Sequence, residues 1–303
     1  MYQYTDFCVC PECSSELSQV GESLQCQSCK KMYEIRNGIP ILLPHYEDET
    51  KQRYFENYEK ISVDDLKSSL EVRRDIRHTV LIDFFGNLKG KRVLDIGSSD
   101  AQYLRSMNAA FKVAFDISLP YLNAITTSNE LKCVCGDAEQ LPFKRGFFDV
   151  IIISDILEHL LNPQELVRRV MMLSTRKTQI FVHIPWEENL EQYAHSPYEF
   201  THLRNFNSYT FAQLWAYFEI KRAKSTYPYM LYPLLFQLEN KIPYFIYNLL
   251  TARYFFSPGV IQKDMDWRAA KIKALPKGDR WLLWFFKPIF KMYELRLRKQ
   301  KQA

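Results

Sequence analysis

Residues 93–104 read VLDIGSSDAQYL. A β-branched, apolar run ends at Asp95, turns at one glycine, Gly97, and passes into a helix-like stretch. In an open α/β sheet this first strand–turn–helix is where a nucleotide-like ligand is held. Loops of this kind usually carry two or three glycines, and this one carries Gly97 alone ahead of Ser99 and Ala101. A side chain at Ser99 costs about 1 kcal/mol if the backbone needs φ > 0, and little otherwise. Ala101 falls where the helix begins, which suits alanine.

Working outward, strand-like and helix-like stretches alternate. Residues 92–97, 111–118, 131–138, 147–156 and 178–185 read as strands, with FFDVIIISDI (147–156) apolar on both faces. PQELVRRVMMLS (163–174) reads as a helix, residues 208–218 as another, and 219–227 as one more strand. Such alternation predicts an α/β fold with a doubly wound, mostly parallel sheet. The last antiparallel strand usual in such a sheet is not legible.

Three carboxylates close consecutive predicted strands: Asp95, Asp116 and Asp137. One aspartate after a strand is ordinarily a helix cap. Three in order, with Asp116 about twenty residues after the first turn where a carboxylate accepts both ribose hydroxyls, outline a nucleoside pocket. A dinucleotide would need a G-x-G-x-x-G phosphate cradle, which is missing, so a cofactor without a pyrophosphate fits better than NAD.

VLDIGSSDA, FDIS and GDAEQLPFKRGFFDVIIISDILEHLLNP together resemble the motifs of class I S-adenosylmethionine-dependent methyltransferases. The nearest type is that of ubiquinone and menaquinone biosynthesis. The resemblance covers roughly residues 90–220 and is most specific over 136–163. It implies a Rossmann-like methyltransferase fold and cofactor contacts from Asp95, Gly97, Ser99, Asp116, Ile117, Asp137, Ala138 and Ser154. Gly97 and its neighbours would pack on the methionine end. Asp116 would bind the ribose, Asp137 the adenine amino group and Ala138 the adenine face.

Methyl transfer from a sulfonium is an in-line displacement, in which the protein aligns the reactants and excludes water. A general base is needed only where the acceptor loses a proton. The candidates follow the fourth and fifth strands: Glu158 and His159, His183, then His195, Tyr198, His202 and Arg204. His202, in an HLRNF segment similar to one near the acceptor in related methyltransferases, is the first choice for a base or acceptor contact, with His159 and Tyr198 beside it. His183 reads as a histidine satisfied within the fold, and His159 has a second reading as packing beneath the cofactor.

Ahead of this domain lie two Cys-x-x-Cys pairs, Cys10/Cys13 and Cys26/Cys29, twelve residues apart. Each pair puts two thiolates on one tight turn, and four suit a tetrahedral, structural Zn²⁺. Two redox pairs, or a ribbon without metal, are the alternatives. Cys8 reads as a bystander. The run from CPEC through CQSC to YEIRNGIPILLP resembles the zinc ribbons that activate tRNA and protein methyltransferases. The expected division is a ribbon over 1–45, a methyltransferase domain over 46–226, and a helical, aromatic and basic extension over 227–303. Residues 45–60, HYEDETKQRYFENYEK, read as a charged linker entering a helix that Asp64 or Asp65 caps. Leu66, Leu70, Ile76, Val80 and Phe84 form its apolar stripe, while Arg73, Arg74 and Arg77 face solvent.

The 303 residues carry a net charge of +5, too mild to name a partner. The odd, clustered cysteines do not form a secreted disulfide framework. No signal peptide or membrane-length apolar run is apparent. These features predict a cytoplasmic protein. Its basic, aromatic C-terminus, Trp267 to Ala303, is a candidate for peripheral contact with the inner face of a membrane. The same segment is also a candidate for gripping RNA, or for capping the sheet with its lysines snorkelling. The expected function is methylation of a small-molecule, lipid-linked or saccharide acceptor with S-adenosyl-L-methionine and a structural Zn²⁺. An RNA methyltransferase and a catalytically inactive partner-binding module are the alternatives.

Overall fold

A computed structural model describes residues 2–67, 81–125, 127–194, 196–226 and 290–298. Its contacts divide the chain into two units: residues 1–68, 87–223 and 293–303, and residues 69–86 with 224–292. Of the second unit only 81–86, 224–226 and 290–292 are described. The account below concerns the first.

A short helix, α1 (Tyr4–Phe7), precedes four short strands, β1 (Leu17–Val20), β2 (Ser23–Cys26), β3 (Met32–Arg36) and β4 (Ile39–Leu42). Helix α2 (Glu49–Lys67) follows. The α/β part then runs β5 (Arg92–Ile96), α3 (Gln102–Ser106), β6 (Phe111–Asp116), α4 (Leu119–Asn123), β7 (Leu131–Gly136) and β8 (Val150–Ser154). It continues with α5 (Pro163–Leu173), β9 (Gln179–Pro185), α6 (Ser208–Leu214), β10 (Phe218–Thr226) and β11 (Phe290–Leu297). All eleven strands belong to one sheet, ordered β1-β2-β3-β4-β7-β6-β5-β8-β9-β11-β10. The pairings from β4 through β7, β6, β5 and β8 to β9 are parallel. Strands β6 and β8 are buried along their whole length and, apart from Lys112 and the terminal Asp116 and Ser154, are apolar on both faces rather than alternating.

The cysteine-rich segment shares this sheet. β4 lies parallel to β7, pairing Ile41 with Cys135 and Leu42 with Gly136. The edge of the α/β sheet is thereby covered, and its backbone groups are paired. A β-carbon on Gly136 would come 2.6 Å from Phe115 Cε2 and 3.2 Å from Leu42 O, so only glycine admits this approach. Phe7 is fully buried among the rings of Phe111, Phe143, Phe147 and Phe148. Its carbonyl accepts from Lys144 N at 2.8 Å. Cys8, read as a bystander, is fully buried and bridges to Phe143. One core runs from Leu17, Leu24 and Tyr33 through Leu42 to the central strands.

Three sequence expectations are corrected. The charged stretch is no linker, because α2 begins at Glu49 and passes through Asp64 and Asp65, which cap nothing. Its organising apolar residues are Tyr54, Tyr58 and Ile61, at helical spacing; Leu66 is 40% exposed. Leu70, Ile76, Val80 and the three arginines lie outside the described residues. The missing last strand is β11, inside the stretch expected to be helical. It enters the sheet between β9 and β10, burying Tyr293 and Leu295. The rest of the expected extension, 227–289 and 299–303, lies outside the described residues, and most of the basic C-terminus with it. Finally, α6 stops at Leu214 because the chain turns at Trp215 and enters β10 at Phe218.

Candidate functional site

The C-terminal ends of β5, β6, β7 and β8 surround one cavity of about 270 Å³. Gly97, Ser99, Asp116, Ile117, Asp137 and Ala138 line it, together with Asp155, His159, Tyr198 and Thr201. Asp95 and Ser154 are not on its wall.

The loop after β5 is fixed by backbone bonds to β6: Gly97 N and Ser98 N donate to Phe115 O at 2.8 and 3.1 Å. Gly97 has φ 73°, and a β-carbon there would meet Ile156 Cδ1 at 2.7 Å. Ser99 and Ala101 are left-handed as well, at φ 49° and 53°. Ala101 is therefore the residue before α3, not its first turn, and the expectation that helix formation favours alanine there is corrected. Asp155, after β8, is a third non-glycine residue in this conformation, at φ 50°. Each costs on the order of 1 kcal/mol, and two of them, Ser99 and Asp155, line the cavity, as strained residues at functional sites do.

Asp116 receives Ser99 N on Oδ2 at 2.8 Å and Ser118 N on Oδ1 at 2.9 Å. Burial outweighs these bonds and pushes its carboxyl up to about 6. Asp95 is fully buried with Tyr103 donating to Oδ1 at 2.6 Å. Burial, reinforced by the charge of Asp116, pushes it up to about 7. Asp137 Oδ1 caps the turn after β7 by accepting Glu139 N at 2.8 Å. Its Oδ2 accepts Tyr46 OH at 3.0 Å and Lys51 Nζ at 3.1 Å.

Helix α2 and the loop after β9 form the opposite wall. Tyr54, Tyr58 and Ile61 face the cavity from α2. Tyr58 donates to Phe200 O at 2.8 Å, and Tyr198 to Asp64 Oδ2 at 3.1 Å. These α2 residues were missed in the sequence. The signal was the i, i+4, i+7 spacing of Tyr54, Tyr58 and Ile61 within a stretch whose charge density suggested a linker.

His159 stands on the cavity wall, while His183 and His202 are not part of it. His202 Nδ1 bonds Glu188 Oε2, and Tyr193 donates to the other carboxylate oxygen at 2.6 Å. A carboxylate only accepts, so this pairing puts the proton on His202 Nδ1 and leaves Nε2 with its lone pair when the ring is neutral. Although burial raises the Glu188 carboxyl, those two bonds hold it below its ordinary range. His159 lies edge-on to His202 with centroids 4.7 Å apart. Burial and the charge of His202 push His159 down to about 4, so it is neutral at physiological pH. His183 is buried and bonds Asp155 Oδ2 at 3.0 Å, with Ser154 Oγ 3.4 Å from the same ring nitrogen. Arg204 donates to the carbonyls of Leu157, Leu160 and Leu161, bracing the turn that carries His159. His195 lies outside the described residues.

At the other end of the chain the four sulfurs of Cys10, Cys13, Cys26 and Cys29 lie within 4.8 Å of one another. Cys10–Cys29 is 3.7 Å and Cys13–Cys26 is 3.4 Å. Thiolates on one Zn²⁺, with bonds of about 2.3 Å, stand about 3.8 Å apart. Both pairs sit on equivalent turns. Ser14 N and Lys30 N donate back to Cys10 O and Cys26 O, and both residues are left-handed, at φ 59° and 63°.

Comparison with known proteins agrees with this geometry. Residues 94–176 match the methyltransferase domain family. A chain from the complex of the Haloferax volcanii Trm112 methyltransferase activator with its methyltransferase superposes with a TM-score of 0.54 at 12% identity. That alignment covers 82% of this chain and 100% of the other. Phosphoethanolamine N-methyltransferase 2 of Haemonchus contortus aligns at 15% identity and a TM-score of 0.48, over 74% of this chain and 53% of that one. An S-adenosylmethionine-dependent methyltransferase of Mesorhizobium loti aligns at 13% and 0.46, over 74% and 96%. No curated protein matches the sequence. The fold is the Rossmann-like fold of class I methyltransferases. Within that fold, residues 94–176 form a methyltransferase domain.

Proposed function

We propose that this enzyme methylates an oxygen nucleophile on a small-molecule, lipid-linked or saccharide acceptor, and that its domain is of the ubiquinone and menaquinone type. The observation that carries the reading is that Asp116 and Asp137, from consecutive strand tips, share one cavity with Gly97, His159 and Tyr198. The bound cofactor supplies an electrophilic methyl group. Gly97 and Ser99 take its methionine end, Asp116 its ribose hydroxyls, and Asp137 with Ala138 its adenine. Asp95 acts from behind the wall as a buried charge, and Ser154 by fixing Asp155 and His183.

On the acceptor side, His202 takes the proton of the attacking hydroxyl. Glu188 favours the tautomer that makes Nε2 the accepting atom and stabilises the imidazolium that forms. Neutral His159 and the Tyr198 hydroxyl orient the acceptor beside it. The four cysteines hold a structural Zn²⁺ in a ribbon of the methyltransferase-activator type, because a closed set of four thiolates leaves no position for substrate.

Isothermal titration with S-adenosylmethionine tests the cofactor half. Micromolar binding that Asp116→Ala weakens at least tenfold is expected; an unaltered affinity overturns the assignment. The acceptor half is tested by methyl transfer to a panel of saccharide, lipid and RNA acceptors. Turnover on RNA alone would replace the proposed acceptor class.

A further inference from the structure

We propose that Glu158, His159 and His202 form a second metal site, which binds a divalent first-row transition ion at the wall of the cavity. One ligand atom from each lies within 4.8 Å of the others. Bonds of about 2.0–2.2 Å from imidazole nitrogen and carboxylate oxygen to a single ion bring such donors to about 3–4 Å from one another. His159 Nε2 stands 3.9 Å from Glu158 Oε1. Two imidazoles with one carboxylate are a donor set for Zn²⁺, Fe²⁺, Co²⁺ or Ni²⁺ rather than for Mg²⁺ or Ca²⁺, which take oxygen.

A further observation points to an ion rather than to an internal polar cluster. His202 has its far nitrogen held by Glu188, which Tyr193 holds in its turn. A carboxylate behind the second ring nitrogen is how metal-ligating histidines are oriented and made more basic. The turn carrying Glu158 and His159 is braced by Arg204 on three carbonyls, so two of the three donors are preorganised. His159 lines the cavity, which leaves an open coordination position on that side.

An ion here would make His202 a ligand through Nε2 and Glu188 its orienting partner, so His202 would act as the acceptor's base in the ion-free protein alone. An acceptor oxygen arriving from this side would then meet the ion's charge, a consequence that rests on the acceptor reading given above. Binding of the ion itself stands apart from that reading and from methyl transfer.

The test is a titration of the chelator-treated full-length chain with Co²⁺ alone. The cysteine site reports through sulfur-to-cobalt charge-transfer absorption, which a histidine–carboxylate site lacks. Two equivalents are expected, one with that band and one without. Glu158→Gln and His202→Gln each remove the second equivalent while keeping the thiolate band, which also shows that the variant is folded. Glu188→Gln weakens the second equivalent by about tenfold or more. A single equivalent in the parent chain, confined to the thiolate band, overturns the proposal. So does a second equivalent that survives both Glu158→Gln and His202→Gln. Methyl-transfer assays with and without the ion are read separately, so that loss of either activity or metal binding is assigned to its own site.

Discussion

The main-chain N–H of Ser99 donates to Asp116 Oδ2 at 2.8 Å, and Ser99 makes this bond from a left-handed conformation at φ 49°. The bond joins the turn after β5 to the carboxylate at the end of β6, so the loop keeps its shape where glycine is absent. Ser99→Gly and Ala101→Gly relieve about 1 kcal/mol of backbone strain each, but glycine returns about 0.5–1 kcal/mol through its freer unfolded state. Both variants are therefore expected to unfold within about 1 kcal/mol of the parent, with cofactor affinity within about threefold. Thermal melts and calorimetric titration check this. A tenfold gain in affinity on restoring either glycine would mean that the loop is distorted in the parent chain.

Asp95 and Asp116 give the enzyme a pH dependence with a definite sign. Both carboxyls titrate higher in the folded protein than the ordinary aspartate value of about 4, at about 7 and about 6. The folded state thus holds more protons than the unfolded state across that window, and this part of the stability is full below about pH 4 and lost as pH rises through about 7. Asp95→Asn removes the larger share. Its stability relative to the parent should climb between about pH 4 and 7, by something on the order of 2–4 kcal/mol, and level off above. Cofactor binding should run the other way. A cationic sulfonium favours ionised carboxylates, so the parent's affinity rises over the same interval. Denaturant midpoints for the two proteins at about pH 5, 6.5 and 8 provide the check, and a flat difference would refute it.

The ribbon should be part of the fold's stability rather than an appendage. Its core residues Leu17, Leu24 and Tyr33 are continuous with those of the α/β sheet, and β4 covers the edge of β7. Cys13→Ser removes one of the four ligands of the proposed Zn²⁺ and is expected to lower the melting point of the whole first unit by several degrees, in one transition. Two separate transitions, with the methyltransferase melt unmoved, would show that the shared core contributes little.

The α/β sheet was legible because buried parallel strands are apolar on both faces and end in characteristic carboxylates: VIIIS at 150–154 and FKVAFD at 111–116 leave no other reading. The four cysteines were legible because two short turns suffice to gather them. What was hidden depended on contacts distant in sequence. Tyr54 and Tyr58 look like part of a charged linker until the cavity beside them is known. β11 is 64 residues past the end of β10, counting from Thr226 to Phe290, and its mixed residues FKMYELRL take their strand form from the gap between β9 and β10. The pairing of His202 with Glu188 joins two points of one loop that no periodicity connects.

Gly136 offers the sharpest test of how the ribbon meets the sheet. Its place in β7 opposite Leu42 leaves no room for a β-carbon, which would stand 2.6 Å from Phe115 Cε2 and 3.2 Å from Leu42 O. The Phe115 ring is fully buried, so Gly136→Ala must displace the ring, the ribbon strand, or both. Overpacking of this kind costs about 1–3 kcal/mol. Phe115→Leu in the same chain removes the ring atoms that make the closest approach but leaves the Leu42 carbonyl. The double variant should thus recover part of what Gly136→Ala loses, relative to Phe115→Leu alone. Denaturant midpoints of the four proteins in this cycle measure the coupling. An unaffected Gly136→Ala chain would mean that β4 and β7 are further apart than the pairing of Leu42 with Gly136 requires.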